Sequence, residues 1–222
     1  MNRIAIYDMD KTLTRDATFG PFILFVLKKY RPLRLWTLPV MGLVTLGYGL
    51  KLISRSRLKE VNLRLLIGPK IEAKEMTEIA RDFATNDPAS SLLAAAGSQI
   101  SADRSKGYQI VIASASYRFY VEALAQSGGI NDVIATDCEA LTPASFAPTI
   151  AGENCYGEGK LRMVQAWLSG QNIAREEAHV RFYSDHVSDA PCLEWADEGF
   201  AVNPHSPLRS LAAKKGWAIY DW

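Results

Sequence analysis

Two aspartates separated by a single residue lie near the beginning of the chain, directly after a short apolar run. In the stretch AIYDMDKTLT they are Asp8 and Asp10. Carboxylates at such close range repel each other, so either the pKa of one rises or a cation lies between them. A hard divalent ion such as Mg²⁺, which prefers oxygen ligands, meets this requirement. The pair therefore predicts a site that binds a metal ion.

Further groups that suit phosphoryl chemistry stand at the ends of later apolar runs. Ser114 follows the run QIVIA, Lys160 opens the helix after GEG, and Asp185 follows VRFYS, with Asp189 four residues on. The carboxyl ends of parallel strands meet at one edge of an α/β sheet, where ligands bind. Mg²⁺, an ammonium and a hydroxyl together neutralise and hold a phosphoryl group. We therefore expect Mg²⁺ to be bound by Asp8 and Asp185 beside a phosphoryl group.

Each of these residues also has an ordinary structural interpretation. A single DxD pair often forms a turn or caps a helix. Ser114 or Ser116 could cap the helix that begins near Tyr117, and Asp185 and Asp189 could stabilise a helix N-terminus. Four such signals in one order at successive strand ends favour the functional interpretation.

The elements that must position these side chains alternate along the second half of the chain. Predicted helices separate the predicted strands, a pattern typical of an α/β fold with a doubly wound, mostly parallel sheet. Before them, residues 19–85 show a mostly helical pattern. The predicted strands are residues 4–7, 109–113, 132–137, 180–185, 200–203 and 217–220.

Composition and charge limit the functions that remain. The 222 residues are 48% hydrophobic, which suits one domain with an insertion or two small domains. A net charge of +1 gives no support to a role with nucleic acid. The charge is unevenly placed, because residues 17–59 contain no acid. Their eight basic residues are Lys28, Lys29, Arg31, Arg34, Lys51, Arg55, Arg57 and Lys59.

The cysteines and the first residues indicate a compartment. Cys138, Cys155 and Cys192 form no CxxC pair, which argues against a disulfide framework and a zinc site. The first apolar run is short and ends in two acids, unlike a secretory signal. We expect a cytoplasmic protein, with association with the inner face of the membrane as the alternative.

The segment DMDKT resembles the DxDxT signature of the haloacid dehalogenase superfamily of phosphohydrolases. Ser114, Lys160 and the segment SDHVSD follow in that family's order, and the chain as far as NPHSPLRSLAAKKGW resembles the branch that contains phosphoserine phosphatase. The resemblance implies a catalytic α/β core of residues 1–18 and 86–222. It also implies an inserted helical cap domain of residues 19–85 that closes over the phosphate.

The resemblance further implies how the two aspartates react. Asp8 attacks phosphorus and forms an aspartyl phosphate, while Asp10 protonates the leaving oxygen and later activates water. The backbone carbonyl of Asp10 binds Mg²⁺ as well. The implied function is a Mg²⁺-dependent phosphomonoester hydrolase that acts on a small phosphorylated metabolite of the phosphoserine kind.

The other site residues are implied to bind and to orient. Ser114 and Lys160 hold the phosphate, Asp185 binds Mg²⁺, and Asp189 orients Lys160 or a water on the metal. His186, inside SDHVSD, is expected to face solvent or substrate, since oxygen donors suit Mg²⁺ better than imidazole does.

One position distinguishes an enzyme from a protein that stores phosphate. The segment DMDKTLT also resembles the DKTGTLT of ion-pumping ATPases, which have threonine where this chain has Asp10. A carboxylate can act as general base on the acyl phosphate and threonine cannot, so we expect rapid hydrolysis. Asp10 and the long cap therefore disfavour the alternative of a regulatory phosphoacceptor protein.

The cap is expected to select the substrate. In phosphoserine phosphatases an acidic residue shortly after the motif holds the substrate ammonium. Here Ala17 takes the corresponding position, and Asp16 lies one residue earlier. The resemblance therefore leaves recognition of an amino group open.

The predicted cap contains an uncharged apolar run over residues 35–50. This run is shorter than the about 20 residues of a spanning helix, and its basic flanks suit a segment that lies in the interface of an anionic membrane. A core helix of the cap and a helix buried in a homodimer are the other interpretations. The string FGPFILFVLKKYRPLRLWTLP resembles bacterial phosphatidylglycerophosphatases. A lipid phosphatase that binds a lipid head group and contacts the membrane through residues 28–59 is thus the alternative function.

Overall fold

An eight-stranded β-sheet forms the centre of the protein, whose computed structural model describes residues 1–222. The strands are β1 (Asn2–Tyr7), β2 (Ile71–Glu72), β3 (Gln109–Tyr117), β4 (Asp132–Thr142), β5 (Ser145–Ala151), β6 (Ala178–Ser184), β7 (Glu198–Val202) and β8 (Ala218–Tyr220). Their order across the sheet is β2-β5-β4-β3-β1-β6-β7-β8.

Nine α-helices connect and cover the strands. They are α1 (Phe19–Lys29), α2 (Leu38–Gly49), α3 (Arg55–Ile67), α4 (Ala73–Asn86), α5 (Ala94–Ser105), α6 (Arg118–Ser127), α7 (Glu158–Gly170), α8 (Ala190–Trp195) and α9 (Ser206–Lys215). Short 3₁₀ helices occur at Pro32–Thr37, Pro88–Ser90, Arg175–Glu177 and Val187–Asp189.

The strand order confirms the predicted fold class. β1 lies between β3 and β6 and is parallel to both. The chain first adds β3 and β4 on one side of β1, and then β6, β7 and β8 on the other. In doubly wound sheets, ligands bind where the strand order reverses. Here that point is the carboxyl end of β1, immediately before Asp8.

The sequence pattern did not predict strands β2 and β5. β5 pairs antiparallel with β4 and with the short strand β2, and β4 continues beyond its predicted end at Asp137 to Thr142. The connection TPAS is made of turn residues, and Pro148 lies inside β5. The segment therefore lacks the continuous apolar run from which a buried strand is predicted.

Helices cover both faces of the sheet. Side chains alternate along β1, so Ala5 and Tyr7 join one apolar cluster while Ile4 and Ile6 join another. Helices α1, α3, α4, α5 and α6 contribute to the first cluster, and α7, α8 and α9 contribute to the second. Burial on both faces explains why these strands are almost continuously apolar in sequence.

Helix α2 buries little of its surface. Met41 is the one buried residue in it, whereas Leu43 is exposed, as are Trp36 before the helix and Leu50 after it. The structure therefore contradicts the interpretation of residues 35–50 as a core helix of the cap. None of the helices combines the length and the apolar character needed to cross a bilayer.

Candidate active site

The side chains predicted to do chemistry converge at the carboxyl ends of β1 and β6. Asp8 follows β1 directly, Asp185 follows β6 directly, and Lys160 lies in the first turn of α7. A cavity of about 240 Å³ opens between them. Asp8, Asp10, Lys160, Asp185 and Asp189 all line it. We call this space the phosphate cavity.

Lys160 connects two of the aspartates directly. Its Nζ lies 2.7 Å from Asp8 Oδ1 and 2.6 Å from Asp189 Oδ2, and the hydroxyl of Ser184 donates to the same Asp189 oxygen at 2.8 Å. Burial opposes the charge on Lys160, but the carboxylates of Asp189 and Asp8 raise its pKa well above the ordinary value. The lysine is therefore a fixed cation at the base of the cavity.

Two glycines allow α7 to begin close to the sheet. Gly157 has a φ of +59°, a left-handed conformation that glycine adopts without the steric cost of a Cβ. A Cβ on Gly159 would lie 2.7 Å from the backbone oxygen of Asn154, closer than non-bonded atoms approach. The GEG segment thus brings the first turn of α7, and with it Lys160, into the buried space beside Asp8.

Asp8 is held in a buried and predominantly anionic environment. Its N–H donates to the carbonyl of Tyr183 at 2.9 Å, which joins the end of β1 to β6. Burial raises the pKa of Asp8 to about 8; Lys160 opposes the rise, whereas Asp189 and Asp185 add to it. The negative charge around Asp8 exceeds what Lys160 alone neutralises.

Asp185 brings a carboxylate that has no protein partner. Its bonds use the backbone oxygen, which accepts from the backbone N–H of His205 and lies 2.9 Å from its Nδ1. Burial and, to a smaller extent, the neighbouring Asp189 carboxylate raise the pKa of the Asp185 carboxyl to about 6. An unpaired carboxylate near Asp8 fits a cation.

The residues at this site suit Mg²⁺, which keeps several water ligands, better than a metal ion that is bound by protein side chains alone. No three His, Cys, Asp or Glu side chains are grouped so that they could enclose a metal ion. Mg²⁺ is commonly bound by one or two carboxylates, with waters and phosphate oxygens completing its octahedron. Asp8 and Asp185 match that pattern.

Ser114 lies within β3 and not after it. β3 continues to Tyr117 with an irregular register between the two residues. The Ser114 hydroxyl is buried and accepts the N–H of Ser116 at 3.1 Å. The neighbouring Ala115 lines the phosphate cavity and Ser114 does not. Neither serine caps α6, because Tyr117 is its N-cap and no side chain bonds there.

Asp10 is fixed by a set of donors that the sequence did not reveal. Its Oδ1 accepts from the N–H and from the hydroxyl of Thr18, both at 2.8 Å, and its Oδ2 accepts from Ser116 Oγ at 3.1 Å. Thr18 is buried where α1 begins. A threonine eight residues after an aspartate carries no recognisable signal, because the loop between them decides whether they meet.

His186 lines the phosphate cavity, as expected. Its ring stacks on His205 with centroids 4.3 Å apart, and its Nδ1 lies 2.9 Å from Ser188 Oγ. Burial lowers the pKa of His186, and His205 lowers it further. The ring of His186 is thus held within its own loop at the cavity.

Arg55 extends the cavity lining beyond the sheet. It comes from α3, far from the strand ends in sequence, and lies with its guanidinium 4.3 Å from the ring centre of Tyr156. The sequence showed Arg55 as part of a basic segment, but only the packing of α3 places it at the cavity.

A family model described as haloacid dehalogenase-like hydrolase matches residues 5–194 of the chain. That range includes all the predicted site residues. Histidinol-phosphatase from Neisseria meningitidis serogroup C (strain 8013) is 26% identical over 117 residues, which are 52% of this chain and 53% of that protein.

Two further similarities extend the comparison. Phosphoserine phosphatase SerB1 from Mycobacterium tuberculosis (strain ATCC 25618 / H37Rv) is 31% identical over 118 residues, 52% of this chain and 37% of that protein. The chain thus spans about half or less of the length of these curated relatives. The crystal structure of a protein of unknown function from Bordetella pertussis Tohama I has a TM-score of 0.87 at 25% identity, covering 100% of this chain and 99% of that one.

Proposed function

The chain belongs to the haloacid dehalogenase-like hydrolase family, and we propose that it is a Mg²⁺-dependent phosphomonoester hydrolase that works through an aspartyl phosphate. The observation that carries the proposal is the carboxylate of Asp8, which is buried at the central strand end and bonded by Lys160 at 2.7 Å. Asp10 stands at the same cavity with both oxygens anchored. We take the substrate to be a small phosphorylated metabolite.

The two aspartates divide the chemistry. Asp8 Oδ1 accepts from Lys160, which leaves Oδ2 to attack phosphorus as the bond to the leaving oxygen breaks. Asp10 gives its proton to that oxygen, and the alcohol departs. Asp10 then takes a proton from water, whose oxygen attacks the phosphorus of the aspartyl phosphate. The acyl phosphate bond breaks, which releases inorganic phosphate and restores Asp8.

The anchoring of Asp10 supports its double role. Thr18 and Ser116 fix the carboxyl group from two directions, so it returns to the same position whether or not it carries a proton. A general acid and base must stay within hydrogen-bond reach of the reacting oxygen in both steps. The hydroxyl groups of Thr18 and Ser116 suit both protonation states of Asp10, because a hydroxyl can donate to the carboxylate and accept from the protonated carboxyl group.

Lys160 and Ser114 are proposed to hold the phosphoryl oxygens. Two of the three Lys160 N–H groups bond Asp8 and Asp189, which leaves one to donate to a phosphoryl oxygen. Asp189 positions the lysine through Oδ2, and its Oδ1, which has no partner in the protein, is proposed for the other expected role of orienting a water on the metal. Ser114 lies next to the cavity-lining Ala115, and no protein group accepts its hydroxyl proton.

Asp8, Asp185 and the backbone carbonyl of Asp10 are the groups proposed to hold Mg²⁺. When bound, the ion neutralises charge that develops on the transferring phosphoryl group. Burial and the repulsion between neighbouring carboxylates raise the pKa values of Asp8 and Asp185, and such a cation relieves the repulsion.

The division into a core of residues 1–18 and 86–222 and a cap of residues 19–85 is part of this proposal. Helix α3 supports it by bringing Arg55 over the phosphate cavity. Helix α4, the last helix of the range 19–85, packs against α6 of the core. It therefore forms a contact between the proposed cap and the proposed core.

A screen of phosphorylated metabolites tests the proposed function. With Mg²⁺ present, p-nitrophenyl phosphate and at least one metabolite should be hydrolysed over many turnovers, and EDTA should stop both. Absence of turnover on every compound would contradict the proposal. A single stoichiometric phosphorylation without turnover would instead support the regulatory phosphoacceptor.

The exposed face around α2 supports a second candidate, a membrane-associated lipid phosphatase. Apolar side chains between 59% and 90% exposed cluster in a segment that has only basic charges. Anionic lipids attract such a segment, and its apolar side chains can enter the interface. The exposed side chains are Leu33, Trp36, Leu43, Leu46, Leu50 and Leu52.

Vesicle flotation separates the two candidates. The lipid phosphatase should float with vesicles that contain phosphatidylglycerol and not with pure phosphatidylcholine. Leu43→Glu should abolish flotation, whereas Leu141→Glu, which changes an exposed leucine outside this segment, should not. Failure to bind anionic vesicles removes the lipid candidate and leaves the soluble-substrate phosphatase; the homodimer interpretation of the same face then predicts a dimer mass in solution.

A further inference from the structure

A second cavity adjoins the phosphate cavity on the far side of Asp10. It has a volume of about 250 Å³ and shares Asp10, Ala17, Arg55 and Ala115 with the phosphate cavity. Because Asp10 is the proposed acid for the leaving oxygen, the alcohol portion of a substrate must extend from its side of the site. We call this space the leaving-group cavity.

Lys59 is a buried cation in the wall of the leaving-group cavity. It projects from α3 and is only 6% exposed. Its Nζ donates to the backbone oxygen of Ala115 at 2.5 Å and to Asn154 Oδ1 at 2.8 Å, and it lies 4.6 Å from the ring centre of Tyr117. Every one of these partners is neutral. A buried ammonium without a carboxylate is costly, and an anionic ligand would offset that cost.

Arg55 places a second unpaired cation at the same cavity. Its guanidinium packs against the ring of Tyr156, and the ion pairs of the protein do not include it, in contrast to its helix neighbour Arg57, which pairs with Glu60. Arginine prefers planar anions such as carboxylates and phosphates, to which it can donate two hydrogen bonds.

The cavity contains no free carboxylate that would hold an ammonium. Asp10 is its sole acidic residue, and its oxygens already accept from Thr18 and Ser116. Ala17 occupies the wall without a polar side chain, and Asp16 lines a different cavity next to Arg15. A substrate ammonium here would face two cations and find no free carboxylate.

Asn62 adds an unused polar group. It is buried in the same wall, one turn after Lys59 on α3, and its Oδ1 has no hydrogen-bond partner in the protein. Buried polar side chains are nearly always bonded, so this unsatisfied oxygen is unusual, and its amide must rotate to present a hydrogen-bond donor to an anion in the cavity. Rotation of the amide by half a turn exchanges its donor and acceptor, so it can serve an anion or a hydroxyl.

We infer that the leaving-group cavity binds an anionic group on the alcohol portion of the substrate, through Lys59 and Arg55. The preferred substrates are therefore phosphomonoesters whose alcohol carries a carboxylate or a second phosphate, and phosphorylated amino alcohols are disfavoured. This inference rests on the proposed phosphatase function, and it deepens that function by naming the substrate class.

A matched set of two-carbon phosphomonoesters tests the inference. Phosphoglycolate carries a carboxylate, ethylene glycol bisphosphate a second phosphate, 2-hydroxyethyl phosphate a neutral hydroxyl and phosphoethanolamine an ammonium. With Mg²⁺ present, kcat/KM for the better anionic compound should exceed that for 2-hydroxyethyl phosphate by about tenfold or more, the value of one charge-assisted hydrogen bond. Phosphoethanolamine should be the poorest substrate. The two anionic compounds distinguish a carboxylate ligand from a phosphate ligand.

Variants assign the preference to the two cations. Lys59→Gln should lower the ratio of kcat/KM between the anionic and the neutral compound about tenfold. Arg57→Gln, an exposed change on the same helix, should keep the wild-type ratio. Because a change at buried Lys59 can disturb folding, Arg55→Gln at the exposed end of α3 provides a second test and should also lower the ratio.

The outcomes separate this inference from the proposed function. Equal kcat/KM for all four compounds, a preference for phosphoethanolamine, or an unchanged ratio in both Lys59→Gln and Arg55→Gln would overturn the inference while hydrolysis itself upheld the phosphatase. If neither these compounds nor p-nitrophenyl phosphate were hydrolysed, the proposed function would fail and the inference with it.

Discussion

The phosphate cavity and the leaving-group cavity share a wall and differ in almost everything else. In the first, strand ends supply the carboxylates of Asp8 and Asp185, and one buried cation, Lys160, bonds two aspartates. In the second, helix α3 supplies Lys59 and also Arg55, which lines both cavities, and neither cation has a carboxylate partner. The first has an excess of negative charge and the second an excess of positive charge.

The contrast shows which part of the molecule sets the reaction and which part selects the substrate. The anionic cavity needs a cation and a phosphoryl group whatever the substrate is. The cationic cavity, by the inference above, favours substrates whose alcohol portion carries an anionic group. Changes in the first should therefore affect all substrates alike, and changes in the second should alter the ranking of substrates.

The largest effect is expected from Asp8→Asn. An amide cannot form the acyl phosphate, so turnover should fall by at least about a thousandfold for every substrate, as for loss of a nucleophile. The rate is measured with p-nitrophenyl phosphate and with the two-carbon compounds. Circular dichroism should show an unchanged fold, because Lys160 keeps its bond to Asp189. Activity near that of the wild type would remove Asp8 from its role.

A smaller but equally uniform loss is expected from Asp185→Asn. Replacing this unpaired carboxylate weakens Mg²⁺ binding, and kcat/KM at low Mg²⁺ should fall about a hundredfold, with partial recovery as Mg²⁺ is raised. A titration of activity against Mg²⁺ measures the shift. Asp221→Asn, which changes an exposed carboxylate paired with Arg209, is the matched control. The same Mg²⁺ dependence in both variants would speak against a ligand role for Asp185.

The smallest effect is a pH dependence confined to the leaving-group cavity. The pKa of Lys59 is lowered to about 7, chiefly by burial and in part by Arg55, while Cys155, Cys138 and Asp10 oppose the shift. Lys59 is therefore charged below that pH and neutral above it. The kcat/KM ratio of phosphoglycolate to 2-hydroxyethyl phosphate should fall severalfold as pH rises through about 7, because kcat/KM reports groups of the free enzyme.

The control for this pH effect is Lys59→Arg. An arginine keeps its charge at all these pH values, so the ratio in the variant should stay flat. Any difference in phosphate ionisation between the two compounds is the same for both enzymes, so the comparison of wild type with Lys59→Arg removes it. A ratio in the wild type that is flat or rises with pH would show that the charge of Lys59 does not select the anion.

The aspartates and the lysine of the phosphate cavity could be predicted from the sequence, because the signals for them are local. A buried strand followed by DxD can be recognised from adjacent residues, and parallel strands bring Asp8 and Asp185 to the same edge. The alternation of strands and helices predicted a mostly parallel sheet, but it did not predict the order of β1, β3 and β6 within it. Ser114 was placed slightly wrongly, since β3 continues through an irregular register to Tyr117.

The leaving-group cavity could not be predicted in the same way, because its contacts connect distant segments. Lys59 bonds the carbonyl of Ala115 and the amide of Asn154, which only the packing of α3 on the sheet brings together. In the sequence RLKEV a lysine indicates a solvated helix face, and nothing nearby shows that this one is buried. The hydrogen bonds of Thr18 and Ser116 to Asp10 were not predicted for the same reason.

The most direct measurement is to trap the phosphoryl group on the enzyme. Asp10→Asn, which lacks the base for the second step, should accumulate phosphoenzyme when mixed with Mg²⁺ and p-nitrophenyl phosphate, whose leaving group departs without a general acid, and then quenched in acid. Mass spectrometry of peptides is then expected to find one added phosphoryl group on the peptide that holds Asp8 and none in the double variant that also carries Asp8→Asn. Phosphate on another residue, or active turnover with no phosphoenzyme at any time, would contradict covalent catalysis by Asp8.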